Sequence, residues 1–220
     1  MDQLSELNRE VIGCRKCPRL VVWREQVARE KRRSYRNQEY WGKPVPGFGD
    51  PTAKVFVVGL APGAHGSNRT GRQFTGDASG DFLYPALHRA GFASQQISQS
   101  RDDGLVLLDL YTAPVCRCAP PDNKPSTSEI SNCLPYMERE LKIIQPRILV
   151  ALGRIAFDNI LRILSTREEI SFIHNGVHSL PGGRWLVSSY HPSRQNTQTG
   201  RLTEPMFDQV WKTVRALLEG

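Results

Sequence analysis

Four short apolar runs punctuate the chain, at 54–59, 105–110, 148–152 and 185–189, and each is too short for a helix. Between them, apolar residues recur at three- and four-residue spacing, the period of one helix face. This pattern predicts helices over 82–90, 128–144 and 154–164. A last helix is expected over 204–218, with Phe207, Val210, Trp211, Val214 and Leu217 on one side. Near the start, Leu20, Trp23 and Val27 mark a further helix opened by Pro18, a residue suited to a first helical turn. A basic cluster closes that helix, and 43–51, rich in Gly and Pro, reads as loop. Strands alternating with helices predict an α/β fold: a four-stranded, mainly parallel sheet with helices on both faces.

With 220 residues the chain suits a single globular domain over 1–220, long enough to bury roughly 70% of its unfolded surface. Its longest strictly apolar runs, such as 148–152, are far below the roughly 18 residues that span a bilayer, so no membrane partner is expected. Residues 1–6 carry neither the basic nor the apolar region of a secretory signal, and a cytoplasmic location is expected. A net charge of +7 suggests a polyanionic partner. Seven charges spread over a whole surface would be ordinary solubility charge. Here Arg29, Lys31, Arg32, Arg33 and Arg36 fall within eight residues, which sharpens the signal.

Five cysteines in a chain expected in a reducing compartment argue against disulfides. Cys14 and Cys17 form a C-x2-C pair. Cys118 and Cys133, separated by a Pro-rich turn, complete a possible set of four thiolates that would clip the N-terminal helix to the middle of the domain. Cys118 is preferred to Cys116 because it directly precedes that turn. Zinc and an iron-sulfur cluster both accept four thiolates, and the spacing alone leaves the choice open.

Open parallel sheets bind ligands beyond the carboxyl ends of their strands. The first run leads into Gly59-Leu60-Ala61-Pro62-Gly63-Ala64-His65-Gly66, the second into 111–118, and the fourth into His191-Pro192-Ser193-Arg194-Gln195-Asn196. Three loops of unusual composition therefore converge on one sheet edge.

These motifs, together with Gly71-Arg72-Gln73-Phe74, Cys118-Ala119-Pro120-Pro121 and Asn123, form an ordered set that resembles the uracil-DNA glycosylase superfamily, most closely its iron-sulfur family 5. The resemblance implies a three-layer α/β/α sandwich that flips uracil or another deaminated base out of double-stranded DNA. The enzyme would hydrolyse the N-glycosidic bond and leave an abasic site, as a monofunctional glycosylase, by default a monomer, associated with the nucleoid when bound. It also implies a [4Fe-4S] cluster on Cys14, Cys17, Cys118 and Cys133, in preference to zinc. Among site residues, the resemblance gives His191 the hydrogen bond to the departing uracil and Phe74 the stacking contact, on an exposed ring. Gly63, Ala64 and His65 would line the base pocket. Leu60 and Ala61 cannot move protons, so Asp77 becomes the candidate to activate water, although it would equally cap the helix after it. Pro114 stands where family 4 relatives carry an asparagine that reads uracil, which predicts a roomy pocket accepting hypoxanthine as well. Asn123 is a further candidate for an amide in the site. Arg194, with Gln195 and Asn196, would enter the duplex, and Arg69, Arg72, Lys124 and Arg194 are candidate phosphate contacts.

Two other readings fit parts of the pattern. A non-catalytic nucleic-acid-binding module braced by metal explains the charge and the cysteines but not the strand-end loops. A nucleotide hydrolase using 59–66 as a phosphate cradle lacks both G-x-G-x-x-G and the lysine of a P-loop.

Overall fold

Why the central strands form where they do is plain from their composition. Val55–Gly59 (β2) and Ile148–Leu152 (β4) are continuous apolar runs, buried at every position, as parallel strands covered on both faces must be. The computed structural model describes residues 2–165 and 170–220. Between them, Gln3–Gly13 (α1), Pro18–Glu30 (α2), Phe48–Gly49 (β1), Ser67–Thr70 (α3), Ala78–Arg89 (α4), Leu110–Pro114 (β3), Thr127–Ile144 (α5), Arg154–Leu164 (α6), Gly176–Leu180 (β5), Arg184–Ser189 (β6), Arg194–Gln198 (α7) and Glu204–Glu219 (α8) complete the elements. No helix among the described residues is long and apolar enough to cross a membrane.

The sheet has six strands in the order β1-β3-β2-β4-β6-β5, which corrects the expected four. The four central ones are parallel, as expected, and β1 and β5 add antiparallel edges. Register is set by facing apolar pairs such as Val57 with Val150 and Val150 with Val187. Alternate residues of each strand serve different layers. Val55, Val57, Leu110, Ile148, Val150 and Val187 pack under Phe207, Val210, Trp211 and Val214 of α8 and Leu83 and Leu87 of α4. Phe56, Val58, Tyr111, Ala113, Leu149 and Leu186 pack under Leu134, Met137 and Leu141 of α5 and Phe157 and Ile160 of α6. Each such fully buried large side chain contributes roughly 1.5–3 kcal/mol.

The second strand is the other correction. Residues 105–108 alternate: Leu105 and Leu107 are buried, while Val106 and Leu108 are about half exposed. They form a ribbon bridged at Ala93 and Leu107 outside the sheet. The chain turns at Asp109 (φ 53), whose carboxylate accepts from the Lys54 N–H at 2.8 Å, and only then enters the sheet as β3.

Two helices packed by their ends bring the N-terminus to the sheet. α1 lays Leu7 and Val11 against Tyr136 of α5. Arg19 of α2 donates to Glu129 of α5 at 2.8 and 2.7 Å, while Glu129 also closes the Ser126 capping box that starts α5.

Candidate functional site

The loop after β2 is folded around a carboxylate. Asp77 ends the turn before α4 and caps that helix: its Oδ1 accepts from the N–H groups of Ser79 and Gly80, each at 3.1 Å. Its other oxygen lies under the 63–66 turn, which closes through Gly66 N–H to Gly63 O at 3.3 Å, with Asn68 N–H donating to the same carbonyl at 3.0 Å. A Cβ at Gly66 would stand 1.9 Å from Asp77 Oδ2, and one at Gly63 3.1 Å from it, so the glycines are what let the carboxylate in. Oδ1 thus serves the helix. Burial pushes the Asp77 carboxyl above its ordinary range, against the two backbone bonds that hold it down.

Phe74 departs from expectation. Its ring is buried, only 4% exposed, with its backbone in the left-handed region at φ 51. A Cβ on Gly59 would lie 2.7 Å from the ring tip, so β2 ends in glycine where the ring passes beneath it. The ring meets His191 at 6.1 Å between centroids, tilted by 45°. The flanking polar residues, which suggested exposure, are buried as well. Arg72 donates to Asp103 at 2.8 and 2.7 Å, to Ser98 Oγ and to Thr75 Oγ1, so it is spent inside the protein and does not serve as a phosphate contact. Arg69 is likewise occupied by His65 O, Gln38 Oε1 and Gly76 O. Gln73 lies beside Phe74 at Gly59, and its Oε1 has no partner among the described residues. Its amide is a polar group of the site that sequence reasoning passed over as motif filler.

His191 follows β6. Its carbonyl accepts from Asn196 Nδ2 at 2.8 Å, which ties it to α7, whose N-cap is Ser193. Gly153 (φ 96), at the end of β4, lies against it; a Cβ there would be 3.3 Å from His191 Cβ. Desolvation by the surrounding protein lowers the imidazole pKa to about 4, so the ring is neutral at pH 7. A cavity of about 280 Å³ opens on His191, lined also by Leu60, Gly153, Tyr190, Asn196 and Arg201. Phe74, Asp77 and His65 are not in that lining. Phe74 meets His191 without joining the lining, and Asp77, three residues further along, lies against the 63–66 turn. His65 Nδ1 is 3.1 Å from the Tyr40 hydroxyl, and burial lowers its pKa, helped by Arg32 and Arg69. Ala64 is half-buried beside it, and Arg194 is exposed at the start of α7. Asn123 does not join this group. It sits exposed in a left-handed turn (φ 56) next to Lys124, whose carbonyl accepts from Arg19 at 3.1 Å, and it is absent from the cavity lining.

A second void lies beside α2, lined by Cys14, Cys17, Cys118 and Cys133 together with Leu20, Val21 and Pro44. Cys116 is buried and does not line this void; its Sγ lies 3.6 Å from Cys118 O and its thiol also meets that of Cys133. Sulfur ligands of a metal group usually accept N–H bonds, and two are in place: Arg117 N–H to Cys133 Sγ at 3.5 Å and Asn132 Nδ2 to Cys17 Sγ at 3.4 Å. Among the described residues no three donors close around a single ion. The four thiols do line a common void. Arg24 supports the fit. It is 2% exposed, its Nε and Nη1 have no partner among the described residues, and its positive charge acts on Cys118. A buried cation with open donors next to four thiols suits an anionic group between them. Its neighbour Arg117 is neutralised by Glu140 in a fully buried pair.

Comparison with known proteins identifies the family. Residues 46–215 match the family model described as the uracil DNA glycosylase superfamily. A type-5 uracil-DNA glycosylase of Thermus thermophilus is 53% identical over 207 residues, covering 93% of this chain and 94% of the relative. One from Mycobacterium leprae is 48% identical over 219 residues, 97% of this chain and 95% of the relative. Another from Pyrobaculum aerophilum is 44% identical over 206 residues, 94% of this chain and 89% of the relative. The chain belongs to the uracil DNA glycosylase superfamily, among its type-5 members.

Proposed function

We propose that this chain is a monofunctional DNA glycosylase that turns uracil, and also hypoxanthine, out of duplex DNA and hydrolyses the bond from deoxyribose to the base, working as a cytoplasmic monomer. The observation that carries the reading is the meeting of Phe74 and His191 beyond the ends of β2 and β6, with Asp77 held under the adjoining 63–66 turn.

Breaking the glycosidic bond leaves negative charge on the departing base and positive charge on the sugar, so donors fixed before the reaction are worth most. A neutral His191 is suited to donate an N–H to the base oxygen where charge collects. It needs no proton from solvent, since its depressed pKa keeps it uncharged throughout. Phe74, buried and outside the cavity lining, backs the His191 imidazole at 6.1 Å between centroids and holds that ring in place for the base. The free Oδ2 of Asp77 is suited to orient a water and take its proton as it attacks the sugar, and the raised carboxyl pKa makes it the stronger base. Leu60 and Ala61 supply no such group. With Pro114 at the end of β3, opposite Gly59, no side-chain amide reads the pyrimidine edge there, which favours a tolerant pocket.

Cys14, Cys17, Cys118 and Cys133 would hold the [4Fe-4S] cluster. Its contribution is a covalent clip joining α2 to α5 and the segment after β3, in place of the apolar packing a short helix lacks. No step of base release passes through it.

The substrate range is tested by excision rates on duplexes carrying uracil, hypoxanthine or thymine opposite guanine. Release of uracil and hypoxanthine with thymine spared is expected, and absolute uracil specificity would refute the tolerant pocket.

A further inference from the structure

The basic cluster at the end of α2 takes no part in the chemistry above, yet the fold holds it firmly beside the site. Arg29, Arg32, Arg33 and Arg36 are exposed and Lys31 half-buried, and none of the five pairs with a carboxylate among the described residues. Several exposed arginines elsewhere are matched, Arg15 with Glu25, Arg19 with Glu129, Arg89 with Asp208, Arg139 with Glu10 and Arg154 with Asp158, while unmatched ones such as Arg9, Arg147, Arg162 and Arg201 are spread along the chain. Even the nearby Glu30 is engaged, by Gln26 at 2.8 Å. What sets this segment apart among the described residues is density, with five unmatched cations within eight positions.

Nor is the segment a loose tail. Lys31 (φ 55) ends the helix, and the chain then docks onto α3 and the turn before it. The Arg69 guanidinium stacks on Tyr35 at 4.1 Å and donates to Gln38 Oε1 at 2.6 Å. Trp41 N–H donates to Arg69 O at 2.8 Å, and Gly42 N–H to Asn68 O at 3.0 Å. Tyr40 links the two sides, taking the Arg32 N–H at 3.3 Å and meeting His65 at 3.1 Å. The cations thus stand on the same turn that encloses Asp77. Arginines interleaved with Ser34, Asn37 and Gln38, with no exposed large apolar residue among them, match a phosphate backbone and not a lipid surface.

We infer that residues 29–36 form a rigid grip on the phosphate backbone of the duplex beside the extruded base. The inference rests on the proposed glycosylase reading. It also gives the cysteine clip a purpose: α2 carries Cys17 just before its first turn and the grip just after its last, so the clip fixes where the cations stand.

The test is salt dependence of binding. Arg32→Gln, Arg33→Gln and Arg36→Gln together are compared with a control of equal charge change, Lys142→Gln, Arg147→Gln and Lys212→Gln, exposed residues on α5, before β4 and on α8. The probe is a duplex with a tetrahydrofuran abasic analogue, titrated from about 50 to about 200 mM salt. Each lost phosphate contact flattens the slope of log affinity against log salt by about 0.9, so the grip variant should flatten by about 2–3 and the control by less than about 1. Equal slopes in the two triple variants overturn the grip. If the wild-type chain releases uracil while the grip variant keeps the wild-type slope, the grip alone falls. If it releases none, the glycosylase reading falls and the slope still decides the grip.

Discussion

Replacing Asp77 by Asn and by Ala separates its two duties. The cap rests on Oδ1, which accepts from two N–H groups at 3.1 Å. An asparagine carbonyl in the same place caps as well as a carboxylate, whereas alanine forfeits about 1 kcal/mol. The asparagine also relieves a cost. Because the folded carboxyl is raised above its unfolded value by burial, the ionised form opposes folding above the unfolded pKa, and a neutral amide removes that opposition near pH 7. Asp77→Asn should therefore melt at or slightly above the wild-type temperature, and Asp77→Ala below Asp77→Asn. Chemistry should move the other way. Losing a positioned base costs about 10²–10⁴ in rate, or roughly 2.7–5.4 kcal/mol at 1.36 kcal/mol per decade. Single-turnover release of uracil from a duplex, read as alkali-labile sites, measures it. The wild-type rate should also fall on acidification through a pKa above the ordinary carboxylate range, and that limb should vanish in Asp77→Asn. Release by Asp77→Asn within threefold of wild type would mean that the residue only caps α4, and the mechanism would lose its base.

The other expectations follow from the same geometry. Since His191 titrates near 4 when folded and at 6.5 when free, the unfolded chain binds a proton in that window that the folded chain refuses. Stability should fall as pH drops from about 6.5 to about 4, and His191→Gln should fall less steeply by urea titration. His65 and His174, whose pKa values are also lowered, and at the acid end the paired carboxylates of Asp103 and Glu129 contribute to the remainder. The same variant should lose about 10²–10³ in base release, the usual cost of a missing donor to developing charge. Cys133→Ala should abolish the iron and sulfide content and the brown colour of the purified chain, while Cys116→Ala should keep both, as Cys116 does not line the cysteine void. Arg24→Met should surrender iron to a chelator faster than wild type, because the buried cation facing the thiols is gone.

Much of the fold is legible in the sequence. Continuous apolar runs identify β2 and β4 because only strands covered on both faces are so uniformly buried, and the helical period fixes α6 at the expected residues. The second strand misled because 105–108 has strand alternation without being in the sheet, while β3, Leu-Tyr-Thr-Ala-Pro, looks like the start of a turn. Phe74 misled for a different reason. Its polar neighbours suggested a surface, but Arg72 is satisfied by Asp103 thirty-one residues away, a pairing no local pattern contains. The edge strands β1 and β5 are short or polar and carry little signal of their own. Asp77 shows the opposite limit: cap and candidate base look alike in sequence, and in the fold one oxygen caps while the other faces the 63–66 turn.

The most direct test of the central claim is to incubate the purified chain with a duplex holding one uracil opposite guanine and to assay both free uracil and backbone breaks. The account predicts free uracil equal to the alkali-labile sites formed, with no breaks before alkali. Tight binding of that duplex with no uracil released would contradict it.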